Sequence, residues 1–210
     1  MLTKNFQQLK SEVASHIAAD AVAQGSYTTC FIGCLANHSN DPEHIENTYG
    51  IPKMVTRIAE SIFEGLPEDE APAFFAALPD AVGCDGKDLS RVPWQFLAKE
   101  LKLLPAVGDE IHALIDRVIA GMNLLAEGKE WPEAKAAQAA AMAASAAASA
   151  ASAAEAAVAA RAVAWAASAA NAASAAWAAS AASAAAVRRR QRDLLLRLIK
   201  EAPVVSAEGE

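Results

Sequence analysis

The chain is short of cysteine, of positive charge and of long strongly apolar runs. Its three cysteines, Cys30, Cys34 and Cys84, are too few, and odd in number, for a disulfide scaffold. Lysine and arginine total 18 against 25 acidic residues, a formal charge of −7 with a pI near 5.2. A general nucleic-acid surface rests on an excess of cations, so a nucleic-acid partner is not expected. Met1 to Lys10 is polar and has no apolar run of the signal-peptide kind, which makes the cytoplasm the expected location. No stretch sustains period-two alternation of apolar and polar residues, so no strand is expected and the fold class is all-α. Ala162 to Val187 carries no charge and ends against an arginine run, but it contains no Leu, Ile or Phe. It is therefore not read as a membrane span.

Glycine and proline are missing altogether between Glu133 and Ala202, and Ala134 to Ala186 is about two-thirds alanine. Alanine has the highest helix propensity, and nothing local interrupts the run. One unbroken helix of that length would extend on the order of 100 Å. So small a side chain cannot build a core, which places the core in a compact helical domain over residues 1–130. Residues 131–202 form the long helix with an amphipathic end, and 203–210 a frayed tail. Lys135, Gln138, Met142, Ser145, Ser149 and Ser152 follow alternating steps of three and four, a heptad-like spacing. From Trp165 to Ser183 the steps are strictly three, so these residues wind around the axis, and Trp165 and Trp177 diverge by about 120°. Trp131 is expected to anchor the near end of this helix, and Leu194, Leu195 and Leu198 the far end. The tract has no threonine row of the kind ice-binding helices present. Arg188-Arg189-Arg190-Gln191-Arg192 reads as a dipole complement and solvated face. Self-association or a protein partner, through close packing of small side chains, is the leading functional expectation.

Within the first 130 residues, apolar spacing and punctuation predict a series of helices. Phe6, Leu9, Val13 and Ile17 mark one over Thr3 to Ala23, stopped by Gly25. Thr28 or Thr29 is expected to cap a short apolar helix from Cys30 to Asn37. Asp41-Pro42 opens the next, which ends near Gly50, and Pro52 opens one carrying Met54, Ile58, Ile62 and Phe63. A helix from Pro72 bears Phe74, Phe75 and Leu78 and is closed by Pro79. Pro93 and Pro105 bracket another, and Asp109 caps one that runs to Gly128.

The densest chemistry lies at Cys30, Cys34 and His38, which step by four and so share a slowly drifting helix face. With Cys84, in a glycine-rich loop, they offer the Cys₃His set that suits tetrahedral zinc. A second reading is a reactive thiol at Cys30, where a helix N-terminus lowers a thiol pKa. The third is plain core, with the cysteines as small hydrophobes. Gln24, six residues before Cys30, resembles the oxyanion-binding glutamine of the papain-type arrangement, although no downstream histidine has the matching strand context. Asp85-Gly86-Lys87-Asp88 is too short for a calcium loop, and His16 and His112 read as packing residues. Apart from zinc at the Cys/His set, no cofactor is expected.

Three segments carry a family resemblance: Cys30-Phe31-Ile32-Gly33-Cys34 with His38, Tyr49-Gly50-Ile51-Pro52, and Ile62-Phe63-Glu64-Gly65-Leu66-Pro67. They resemble a group of uncharacterised bacterial and phage-type proteins that also carry an alanine-rich tract before a basic C-terminal helix. The resemblance implies no particular activity.

Overall fold

A computed structural model describes residues 1–26, 28–103, 109–132 and 181–205. Among these the chain is helical: α1 Phe6–Ala18, α2 Phe31–Leu35, α3 Pro42–Tyr49, α4 Lys53–Gly65, α5 Ala71–Val82, α6 Val92–Leu101, α7 Asp109–Ala126 and α8 Ala181–Glu201. The all-α expectation holds. None of these helices is long and apolar enough to cross a membrane. The middle of the alanine tract lies outside the described residues, and with it the expectations for Trp165, Trp177 and the continuity of the long helix.

Several boundaries differ from the expected ones for identifiable reasons. Helix α1 ends at Ala18, because Asp20 takes a left-handed φ of 50° well before Gly25 is reached. Helix α2 ends at Leu35, and Asn37 and His38 are both left-handed, with φ of 52° and 62°. Pro79 lies inside α5 instead of closing it. The helix continues to Val82 and stops at Gly83, whose φ is 76°. Proline costs one backbone hydrogen bond here, and burial of Leu78, Pro79, Ala81 and Val82 offsets it.

The core draws on every helix from α1 to α6 and on α8. Phe31 of α2 sits at its centre, with ring centroids 6.1, 5.7 and 5.4 Å from those of Phe63, Phe74 and Phe75. Leu194, Leu195, Leu198 and Ile199 are buried in the same cluster, since α8 packs against α4, α5 and α6. The core is therefore not confined to residues 1–130. The far end of the tract closes the domain, at the leucines expected to hold it. At the near end, Trp131 lies flat on Gly121 of α7: a Cβ added at Gly121 would come within 2.1 Å of the indole.

The termini are tied together as well. Thr3 N–H donates to the Lys87 carbonyl (2.9 Å), Gly86 N–H to that of Thr3 (2.7 Å), and Asp88 N–H to that of Pro203 (2.8 Å). Val205 N–H donates to Gly86 (2.9 Å). Pro203 to Val205 is thus hydrogen-bonded and not frayed. Lys87, in the loop after α5, is buried, and its Nζ donates to the carbonyls of Ala81 (3.1 Å) and Lys200 (2.9 Å). It places a cation at the C-terminal ends of α5 and α8, where the helix dipoles favour one. Burial still pulls its pKa below the ordinary lysine value.

Candidate functional site

The short helix α2 owes its start to Cys30 itself, not to Thr28 or Thr29. Cys30 is the N-cap, in extended backbone, and its Sγ accepts the N–H of Gly33 at 3.3 Å. The thiol is 3% exposed and hydrogen-bonds the carboxylate of Glu60 on α4. Glu60 Oε2 also accepts the N–H of Ile32 at 2.9 Å. One turn further along α4, Glu64 Oε2 accepts the N–H of Gly25 at 2.8 Å. Spacing of four residues puts both carboxylates on one face of α4, the face that meets the loop leading into α2. The ligand atoms of Cys30, Glu60 and Glu64 all lie within 4.8 Å of one another.

The electrostatics of the cluster follow from burial and like charge. Burial, more than any other cause, pushes the Cys30 thiol above its ordinary value; the Gly33 N–H pulls it down and Glu60 pushes it up. Burial also raises Glu60, which the thiol and the Ile32 N–H lower and the neighbouring Glu64 raises further. Cys34 is pushed up to about 12, by burial first and then by Cys30 and Glu60. Thiols raised in this way are protonated at neutral pH, which favours the reading of Cys30 as a buried, hydrogen-bonded thiol over that of a dipole-activated nucleophile.

The expected set Cys30, Cys34, His38 and Cys84 is not gathered. The Cys34 thiol faces the carbonyls of Thr29 (3.4 Å) and Ala21 (3.8 Å). His38 is exposed, because the left-handed residues after α2 carry it off the helix face; its Nδ1 meets the Thr28 carbonyl at 3.0 Å. Its ring stands edge-on to His16, with centroids 6.1 Å apart. Cys84 belongs to the loop after α5, where its carbonyl accepts the Thr3 hydroxyl at 2.9 Å. Gln24 does not serve the thiol. Its amide donates to the carbonyls of Phe63 and Leu66 (2.9 Å to the latter) and so satisfies the C-terminal end of α4. The residues that do meet Cys30, Glu60 and Glu64, left only an i, i+4 pair of acids in the sequence, which also reads as a solvated helix face.

The arginine run forms a second constellation. Arg189 Nη2 lies 2.6 Å from Glu70 Oε1 and Arg192 Nη1 3.0 Å from Glu70 Oε2. Arg190 Nη2 lies 2.9 Å and Gln191 Nε2 2.8 Å from Glu100 Oε2. Arg188 crosses Gly65, where an added Cβ would come within 2.3 Å of its Nε, and its Nη1 bonds Gln191 at 3.0 Å. Three of the four arginines are engaged by carboxylates of the α4–α5 connection, α6 or α8 itself, so the run is a surface clasp that ties α8 to the domain. The chain matches no family model, no curated protein and no solved structure.

Proposed function

We propose that the chain is a non-enzymatic interaction module, in which a helical domain presents the alanine-rich segment to a second copy of the chain or to another protein. The observation that carries this reading is that large side chains on both sides of the segment are committed to the domain. Trp131 covers Gly121, and Leu194, Leu195, Leu198 and Ile199 are buried in the core. The basic run beside the segment is paired with Glu70 and Glu100 of the same domain. The segment between these anchors is rich in alanine, with the highest helix propensity and little apolar area per residue. Close approach to another helix is how such a surface gains contacts. Sedimentation velocity of the full chain over a hundredfold range of concentration tests the self-association arm. Association that rises with concentration is expected, and is expected to weaken when the alanines of alternate turns are replaced by glutamate. A species that stays monomeric throughout overturns it.

A further inference from the structure

We propose that Cys30, Glu60 and Glu64 form a binding site for a divalent transition-metal ion of the zinc class. This inference stands apart from the self-association reading, since every ligand lies in the folded domain and its test is spectroscopic. The donor set combines one thiolate with two carboxylates, brought together from two elements distant in sequence: the N-cap of α2 and one face of α4. Tetrahedral zinc, with Zn–S near 2.3 Å and Zn–O of 2.0–2.2 Å, needs donors about 3.4–3.6 Å apart. The three donors, already within 4.8 Å of one another, are close to that spacing.

The carboxylates are oriented for the purpose. In each, Oε2 is held by a backbone N–H, from Ile32 for Glu60 and from Gly25 for Glu64. Outer partners of this kind fix the direction of a ligating group, and each leaves its carboxylate a second oxygen. The thiol selects the metal class: a soft sulfur donor suits zinc or cobalt and not magnesium or calcium. Three protein ligands would leave a fourth position for water, and Glu64 is exposed to solvent. Without an ion, Glu64 repels Glu60 and Glu60 repels a Cys30 thiolate; a dication relieves both. On binding, the aqua ion exchanges water ligands for one sulfur and two carboxylate oxygens, the displaced waters are released, and the thiol proton leaves for solvent. Affinity therefore falls as pH is lowered.

Titration of the chelator-treated full chain with Co²⁺ tests the site. One equivalent is expected to produce a thiolate-to-cobalt charge-transfer band, which added Zn²⁺ bleaches. The band is expected to vanish in Cys30→Ser and to survive in Cys34→Ser, Cys84→Ser and His38→Ala. Glu64→Gln keeps an acceptor for the Gly25 N–H and lies at the surface, so the fold is retained. It is expected to weaken Co²⁺ binding by roughly tenfold or more. No band in the wild-type chain, a band indifferent to Cys30→Ser, or affinity unchanged in Glu64→Gln with far-ultraviolet circular dichroism intact would each overturn the proposal.

Discussion

The two halves of α8 are attached to the same domain by different physics. From Arg188 to Arg192 the helix is held at the surface by ion pairs to Glu70 and Glu100. From Leu194 to Ile199 it is held by burial, with Leu195 and Ile199 at 0% exposure. Burial of a leucine is worth on the order of 1.5–3 kcal/mol, and the side chain carries no charge to titrate or screen. Exposed ion pairs contribute little, and screening removes that. Directionality runs the other way. Leucines accept many rotations of a helix against an apolar groove, whereas two arginines converging on one carboxylate fix its register. The labour is divided along the helix: the leucines set how firmly α8 is held to the domain, and the arginines set its register against α4–α6.

The largest expected effect breaks the second half. Leu195→Ala should cost about 2–5 kcal/mol, as for other fully buried leucines, seen as a fall in the urea midpoint. Because α8 shares its core with Phe31 and Phe75, the loss should appear as one cooperative transition of the whole domain. A separate early transition would show α8 to be an appendage.

The opposite anchor gives the next effect. In Gly121→Ala the new Cβ would lie within 2.1 Å of the Trp131 ring, too close for a rigid indole to accommodate in place. Overpacking of this kind costs roughly 1–3 kcal/mol. Displacement of the ring should shift the emission of a variant retaining Trp131 as its one tryptophan toward that of a solvated indole. Unchanged emission would mean that Trp131 does not hold the near end.

How much of this was legible in the sequence depended on the range of the interaction. Helix starts at Asp41-Pro42, Pro52, Pro72 and Pro93 were readable, because caps and prolines act within one turn. The leucines of α8 were readable as a docking end because their size contrasts with the tract before them. Pro79 misled, since burial beyond it outweighed a lost hydrogen bond. The Cys-Cys-His spacing misled because it assumed a helix through His38, and two left-handed residues end it first. Glu60 and Glu64 could not be found, because their partnership with Cys30 spans some thirty residues and exists only once α2 meets α4. The role of the arginines was hidden for the same reason, with Glu70 and Glu100 about a hundred residues away.

The smallest expected effect is on the ionic part of α8. Glu70 is held below the ordinary carboxylate range, first by its hydrogen bond from Arg189 and then by the charges of Arg189 and Arg192. A carboxyl whose pKa is depressed on folding binds its proton less tightly in the folded state than in the unfolded one. Its contribution is therefore fully present above the unfolded value, about 4.3 for glutamate, and disappears as pH falls through the lower folded value. Glu70→Gln should lower the urea midpoint slightly at pH 7, and the gap from the wild type should close on acidification. High salt at pH 7 should narrow the gap as well, because these groups lie at the surface. Neither treatment should narrow the Leu195→Ala deficit, since no charge is involved. If instead the Glu70→Gln gap persists in acid and in salt, the contribution of Glu70 is packing and not charge, and the two halves of α8 are held by the same physics after all.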